Sequence, residues 1–264
     1  MDTVMMTGST GFIGQYLTDL LLEKGYDLRL LVRSPSKAEE FEKRGATLVP
    51  GDLTDPKSVG RAMKGVDGVI HLAAVYRLGG DREWMRSVNV EGTRTVLDQA
   101  RKEGVSRILY CGSDTSLGDT DGDVADEEAT HGGNFRSNYA RTKHEAHQLV
   151  DERIRDGEPI VHAIVSSVYG PGDDSPIAQL IEHHLAGHTM AYLDREAGYT
   201  FTYVEDVASG LLNAYEEGNP GEEYMISGEP ATFEDFFTAL SEQSGVSEPR
   251  FELSDWLEIG RAHV

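Results

Sequence analysis

The stretch TGSTGFIG, residues 7–14, decides the fold predicted for this chain of 264 residues. A short apolar run, Val4 to Thr7, leads into it. The segment that follows repeats leucine at helical spacing, at Leu17, Leu20 and Leu21. A glycine-rich turn between a buried strand and an amphipathic helix is the first unit of a parallel sheet covered by helices. We therefore predict that the chain opens with a βα unit.

The glycines of this stretch suggest a phosphate-binding loop. A tight turn needs Gly8, close approach of the backbone to a pyrophosphate needs Gly11, and close packing of helix on sheet needs Gly14. Their spacing is GxxGxxG rather than the common GxGxxG, but their place between strand and helix lets the helix N-terminus face the phosphates. The predicted pyrophosphate-binding residues are Gly8, Thr10, Gly11, Phe12, Ile13 and Gly14.

Apolar runs and amphipathic stretches alternate through the first half and continue more loosely afterwards. The further predicted strands are Leu28–Val32, Thr47–Val49, Gly68–Leu72, Ile108–Cys111, Ile160–Val165 and Tyr224–Ile226. The further predicted helices are Arg82–Glu103, Ser137–Arg155, Ile177–Ala186, Glu205–Glu217 and Phe233–Gln243. This order predicts an α/β fold of the Rossmann type, a doubly wound parallel sheet with a small C-terminal substrate lobe. We expect residues 1–165 to bind the cofactor and residues 166–264 to form mainly the substrate lobe, packed on the sheet and partly interleaved with it.

The charge balance excludes some classes of partner. The chain has 24 Lys and Arg against 46 Asp and Glu, a net charge of −22, so nucleic acid and anionic membranes would be repelled. Acidity spread along the whole chain leads to the hypothesis of a protein adapted to high salt. No run of eighteen apolar residues and no signal peptide occurs, and the single cysteine fits a reducing compartment. We therefore expect a soluble, cytoplasmic protein.

Residues after the second, third and fourth predicted strands indicate which dinucleotide is bound. An NAD enzyme usually places an acidic residue at the end of the second strand, where this sequence has Arg33. Arg33, with Lys37, would pair with a 2′-phosphate, so NADP is favoured over NAD; a plain surface arginine is the alternative. Asp52 and Leu53 are predicted to lie beside the adenine. The small side chains of Ala73 and Ala74 would let the cofactor pass.

Tyr139 and Lys143 stand four residues apart on a predicted helix, which places them on one face. A nearby ammonium favours the phenolate of a tyrosine, whose pKa is normally near ~10. A solvated helix face explains the same spacing, so the pair gains meaning only from the motifs around it.

Those motifs carry a resemblance. TGSTGFIG, GDLTD, HLAA, NVEGT, the serine Ser113, YARTK and VYGPGD occur in the order found in extended short-chain dehydrogenase/reductases, the NAD(P)-dependent epimerase/dehydratase superfamily. The sequence looks most similar to the dihydroflavonol reductase-like branch, and the resemblance covers nearly the whole chain. Members of this family are usually longer, so we expect the substrate lobe to be reduced.

The resemblance implies roles for individual residues. Tyr139 would exchange a proton with the substrate oxygen, Lys143 would bind the nicotinamide ribose and lower the pKa of Tyr139, and Ser113 would hydrogen-bond the substrate. Asn89 would anchor a water in a proton relay, although a contact inside the helix is an equal alternative. Ser166 and Val168 would bind the cofactor, and residues 169–172 match the family segment beside the nicotinamide carboxamide. By position, the candidates for the substrate pocket are Tyr76, Arg77, Asp114, Thr115, Arg136 and Tyr169.

These residues together predict an NADP-dependent oxidoreductase that transfers a hydride to or from a small carbonyl or alcohol substrate. The alternatives are a nucleotide-sugar epimerase or dehydratase with tightly bound NAD, and a non-catalytic sensor of the cofactor. The resemblance also implies a homodimer through the helices predicted at Arg82–Glu103 and Ser137–Arg155. We expect no metal site, because neither the acidic residues Asp119, Asp121 and Asp123 nor the helical histidines have a complete ligand spacing.

Overall fold

The computed structural model describes residues 2–76, 80–118, 124, 126–127, 129, 133–192 and 194–252. Arg77 and the acidic residues Asp119, Asp121 and Asp123 lie outside the described residues. None of the described helices is long and apolar enough to cross a membrane.

A parallel sheet of seven strands forms the centre of the molecule. Its strands, in chain order, are β1 (Thr3–Thr7), β2 (Asp27–Val32), β3 (Thr47–Pro50), β4 (Gly68–His71), β5 (Arg107–Ser113), β6 (Ile160–Val165) and, after three strands given below, β10 (Glu223–Ile226). Their spatial order is β3-β2-β1-β4-β5-β6-β10, and every neighbouring pair is parallel. The order reverses between β1 and β4, which is where open sheets of this kind bind ligands.

Helices cover both faces of this sheet. They are α1 (Phe12–Glu23), α2 (Glu39–Lys43), α3 (Pro56–Met63), α4 (Arg82–Arg86), α5 (Thr93–Glu103), α6 (Asn138–Arg155), α7 (Pro176–Leu185), α8 (Val204–Glu217) and α9 (Phe233–Ser244). A π-helical segment, Ser87–Gly92, joins α4 to α5. The buried side chains of α1 and α8 form one apolar layer, and those of α3, α5 and α6 form the other. Since both faces are covered, strands such as β6 are buried throughout, and β6 is apolar apart from His162.

The segments after β6 build two small sheets beside the main one. β7 (Ser167–Tyr169), β9 (Gly198–Tyr203) and β11 (Pro230–Thr232) form the first, and β8 (Ala191–Tyr192) with β12 (Phe251–Glu252) forms the second. α8 and β10 nevertheless belong to the main sheet, where β10 extends the edge beyond β6. The part of the chain after residue 165 is therefore divided between the sheet and the smaller lobe.

The predicted fold class is confirmed, and each strand and helix predicted above is present within a few residues of its predicted bounds. The prediction missed the helices α2 and α3 and the strands of the two small sheets. The helix predicted at Arg82–Glu103 is continuous, but its middle turn is a π-helix that contains Asn89.

Candidate active site

The loop between β1 and α1 has the shape that its glycines predict. Gly8 adopts a φ of 82°, a conformation that favours glycine. A Cβ at Gly14 would lie 1.9 Å from the carbonyl oxygen of Gly8. Rotation of a side chain could not relieve this clash, because it involves the Cβ itself and the backbone. The helix therefore begins in direct contact with the strand end, and only glycine permits this.

The N-terminus of α1 is open to an anion. Gly11 is its N-cap, no side chain caps the helix, and no acidic residue lies in the first turn, so the amides of Phe12 and Ile13 are left for a ligand. Ser9 in the same loop is buried, and its Oγ has no hydrogen-bond partner among the described residues. A buried hydroxyl without a partner beside an uncapped helix fits a phosphate group. The sequence motifs do not indicate this role for Ser9.

Arg33 and Lys37 are both exposed just beyond the end of β2. Asp52, after β3, accepts hydrogen bonds from the amide and hydroxyl of Thr54 at 2.9 and 2.7 Å. Those bonds, and to a lesser degree the charge of Arg33, lower the pKa of Asp52 against the effect of burial. The lowered pKa keeps Asp52 ionised at neutral pH.

Ser113, Tyr139 and Lys143 converge at the carboxyl end of β5. Ser113 is the last residue of the strand, and its Oγ lies 3.0 Å from Thr115 Oγ1 and 3.3 Å from Asp114 Oδ1. Tyr139 lies in the first turn of α6, which Ser137 caps by accepting from the amide of Ala140. The capped start fixes where Tyr139 stands relative to the strand end.

The pKa of Tyr139 departs from its predicted behaviour. Lys143 and a hydrogen bond with Ser113 do lower this pKa, as the resemblance implies, but burial of the phenol raises it by more. Tyr139 therefore carries its proton at neutral pH. The ring of Tyr76 meets that of Tyr139 edge-on, with centroids 4.9 Å apart, and so covers one side of the phenol.

The Lys143 ammonium is buried and turned toward β5. Its Nζ donates to the carbonyl oxygen of Cys111 at 3.0 Å and to Tyr110 OH at 3.4 Å, and it lies 5.1 Å from the centre of the Tyr110 ring. Contact of Lys143 with a ribose stays a prediction. In this arrangement the charge stabilises the end of β5 next to Ser113.

Asp114, a predicted substrate residue, follows Ser113 directly. Burial raises the pKa of its carboxyl to about 6, although hydrogen bonds from the Thr115 amide and Ser113 oppose this shift. A carboxyl with such a pKa changes charge close to neutral pH. Thr115 itself is exposed.

Asn89 holds the loop after β4 against α6. Its Oδ1 accepts from the amide of Val75 at 2.7 Å, and its Nδ2 donates to the carbonyl of Val75 at 3.1 Å and to Thr142 Oγ1 at 3.0 Å. Both amide hydrogens are thereby engaged, in contacts with a loop and a neighbouring helix rather than inside the helix of Asn89. A role in a proton relay stays a prediction.

His71 was not singled out from the sequence, yet it joins three elements. Thr7 Oγ1 accepts from the amide of Ala73 and donates to His71 Nδ1 at 2.6 Å. His71 Nε2 donates to Thr93 Oγ1 at 3.0 Å, and Thr93 donates to the Asn89 carbonyl. Burial lowers the pKa of His71 to about 3, so the ring is neutral. The chain of hydrogen bonds fixes the ends of β1 and β4 against the π-helical turn.

The remaining predicted residues lie on the segments that follow β3, β4 and β6. Leu53 is buried below Gly92, Ala74 is exposed, and Ser166 Oγ lies 2.8 Å from Thr202 Oγ1. Val168 and Tyr169 belong to β7, and after it the Pro171 carbonyl accepts from Tyr16 OH of α1 at 2.9 Å. The segment after β6 is thus tied to the first helix.

Comparison with known proteins agrees with this architecture. The model of the NAD dependent epimerase/dehydratase family matches residues 4–227. A Synechocystis protein provisionally named dihydroflavonol 4-reductase is 32% identical over 272 residues, which cover 100% of this chain and 78% of that protein. A 3-beta-hydroxysteroid dehydrogenase of Mycolicibacterium neoaurum is 30% identical over 270 residues, covering 96% and 73%.

Among solved structures, the crystal structure of gox2253 is similar, with a TM-score of 0.85 and 36% sequence identity. The match covers 99% of this chain and 84% of that one. The residues that the family model matches run from β1 to the end of β10. The chain therefore belongs to the NAD dependent epimerase/dehydratase family of extended short-chain dehydrogenase/reductases, and it is an enzyme of the NAD(P)-dependent oxidoreductase class.

Proposed function

We propose that this protein is an NADP-dependent oxidoreductase that reduces a small carbonyl substrate or oxidises the corresponding alcohol. The observation that carries the proposal is the placement of a protonated, half-buried Tyr139 beside Ser113, with Lys143 one helical turn away. A phenol and a hydroxyl that converge on one point can hold a carbonyl oxygen and deliver a proton to it.

The residues present fit a bound dinucleotide phosphate. The uncapped α1 N-terminus and the buried Ser9 hydroxyl suit the pyrophosphate, and the exposed Arg33 and Lys37 suit a 2′-phosphate. When bound, the nicotinamide cofactor supplies or accepts the hydride.

The protein's own residues manage the proton. Tyr139, protonated at neutral pH, donates to the substrate oxygen during reduction, and the Lys143 charge stabilises the phenolate that remains. Ser113 holds the same oxygen, so that its developing negative charge meets two donors rather than water. Tyr76 shields the phenol from one side. Because burial raises its pKa, Tyr139 is protonated at neutral pH, which is the state that proton donation during reduction requires.

The test is a panel of aldehydes, ketones and sugar nucleotides, assayed in high salt with NADPH and with NADH by nicotinamide absorbance. We expect a carbonyl compound to oxidise NADPH, with kcat/KM for NADPH at least ~10-fold above that for NADH. Arg33→Ala should remove most of this preference. Lys43→Ala, which removes an exposed charge on the neighbouring helix α2, should leave it unchanged.

The rival is a nucleotide-sugar epimerase or dehydratase, which the family name favours. Such an enzyme would purify with its cofactor tightly bound and would convert a sugar nucleotide without net change in nicotinamide absorbance. That result, or a preference for NADH in the wild type, would contradict the proposal.

We also propose a homodimer through the surface of α4 and α6. Arg82 and Arg86 of α4 bind Glu145 of α6 at 3.3 and 2.9 Å, and Trp84 keeps 42% of its surface exposed beside them. Sedimentation velocity in molar salt should give a dimer for the wild type and a monomer for Trp84→Glu. A monomeric wild type would contradict this.

A further inference from the structure

A cluster of two histidines and two carboxylates lies one turn beyond the candidate active site. His147 and Asp151 continue the row of α6 that begins with Tyr139 and Lys143, since each of these residues follows the last by four. His162 of β6 and Glu223 of β10 complete the cluster from two neighbouring strands. The sequence alone predicts no metal site here, because two of the four ligand residues come together only when β6 pairs with β10.

The cluster is enclosed but not sealed. The His162 side chain is fully buried, that of His147 is 12% exposed, and those of Glu223 and Asp151 are 20% and 33% exposed. Asp151 therefore forms the side that faces solvent, through which an ion could enter.

The distances between the ligand atoms suit one small cation. His162 Nδ1 lies 2.8 Å from Glu223 Oε1, and His147 Nε2 lies 3.0 Å from the same oxygen and 3.5 Å from Asp151 Oδ1. All four ligand atoms lie within 4.8 Å of one another. A tetrahedral zinc site with bonds of about 2.0–2.2 Å has ligand atoms about 3.3 Å apart, which is close to this spacing.

A hydrogen bond outside the cluster sets the tautomer of His147. Ser116 Oγ lies 2.6 Å from the carbonyl oxygen of Ser113 and must donate to it, since a carbonyl has no proton to give. His147 Nδ1, 2.9 Å from the same Oγ, is therefore the donor to Ser116. A neutral His147 then directs a bare Nε2 at the oxygens of Glu223 and Asp151.

Lone pairs that face each other in this way require a positive charge between them, which is either a proton or a metal ion. A ring nitrogen that donates to a hydroxyl while the other nitrogen faces carboxylates is the usual arrangement of a metal-binding histidine and its outer partner. His162 Nε2 is buried with no partner among the described residues. It can carry the ring proton while Nδ1 faces the ion.

We propose that His147, Asp151, His162 and Glu223 bind a divalent first-row metal ion of the zinc type. Two imidazoles and two carboxylates match the ligand preference of zinc better than that of magnesium or calcium, which take oxygen alone. The ion would tie α6 to β6 and β10. Through Ser116 it would also support the strand end that carries Ser113.

The experiment uses the full chain, treated with a chelator and then titrated with Zn²⁺ in competition with a chromophoric chelator, and with Co²⁺ followed by visible absorption. We expect one equivalent of metal and, for Co²⁺, the intense absorption of tetrahedral coordination. Asp151→Asn and Glu223→Gln should each weaken zinc binding by more than ~100-fold, and Ser116→Ala by roughly 10–100-fold as the loss of an outer partner.

Glu152→Gln is the matched control, because this exposed carboxylate lies on α6 beside Asp151; its zinc affinity should equal that of the wild type. Far-UV circular dichroism of each variant checks folding, and the solvent-facing Asp151→Asn keeps the test valid if Glu223→Gln does not fold. Binding of well below one equivalent of zinc by the wild type, or equal zinc affinity in the wild type and Asp151→Asn, overturns the proposal.

Discussion

Replacing Asp114 with asparagine should stabilise the protein, and by more at neutral than at acidic pH. Burial raises the pKa of this carboxyl to about 6, whereas in an unfolded chain an aspartate titrates near ~3.9. The folded state therefore holds the proton more tightly, so the free energy of unfolding falls as pH rises from about 4 to about 6. The ionised carboxylate then destabilises the native state.

The size of the effect follows from the difference of about two pKa units. At ~1.36 kcal/mol per unit the penalty approaches ~3 kcal/mol above about pH 7, and it is about half of that near pH 5. These are upper values, because Asp114 keeps part of its surface in water. Asp114→Asn should raise the free energy of unfolding by up to these amounts.

Urea denaturation at about pH 5 and pH 7.5 in fixed salt measures both values. Asp174→Asn, the loss of an exposed carboxylate, serves as the control and should shift both values equally. A gain for Asp114→Asn that is the same at both pH values, or a loss at pH 7.5, would refute the reasoning.

Three further substitutions test the packing that positions the site. Gly14→Ala should destabilise the protein by ~1–3 kcal/mol and weaken NADPH binding, because its Cβ would clash with the Gly8 carbonyl. The control Gly198→Ala, whose Cβ would have no atom within 4 Å, should leave the melting temperature nearly unchanged. Equal melting temperatures for the two variants would contradict this. Arg107→Gln removes hydrogen-bond donors to the backbone carbonyls at the end of α8. It should lower the free energy of unfolding, measured by urea denaturation, by ~1–3 kcal/mol. A decrease below ~0.5 kcal/mol would count against this role of Arg107. Asn89→Ala should lower the free energy of unfolding by ~1–3 kcal/mol, because it leaves the amide and carbonyl of Val75 without their hydrogen-bond partner. A fall in kcat at unchanged stability would instead favour the proton relay.

Local signals predict the main sheet well, because each strand and its helix carry their own pattern. β6 is apolar apart from His162, and its predicted bounds are the observed ones. α6 begins one residue after Ser137, whose hydroxyl caps it. α3 was missed although its start, Asp55 followed by Pro56, is a recognisable N-cap signal that the structure uses.

The small sheets and the details of the site depend on contacts distant in sequence. β9 pairs with β7 on one side and β11 on the other, and no local pattern in these short strands indicates either partner. Similarly, the i, i+4 spacing predicts that Lys143 acts on Tyr139, but the burial that outweighs Lys143 comes from the packing of Tyr139 in the folded chain. Spacing predicts neighbours on a helix, whereas burial depends on the whole fold.

The most direct test of the central claim is the single-turnover rate of NADPH oxidation by Tyr139→Phe, measured with the best carbonyl substrate of the panel. Phenylalanine keeps the ring and its contact with Tyr76 but removes the proton. The rate should fall by at least ~100-fold, while the Kd for NADPH stays within about threefold of the wild type. A Tyr139→Phe rate within about threefold of the wild type would contradict the assignment of Tyr139 as the proton donor.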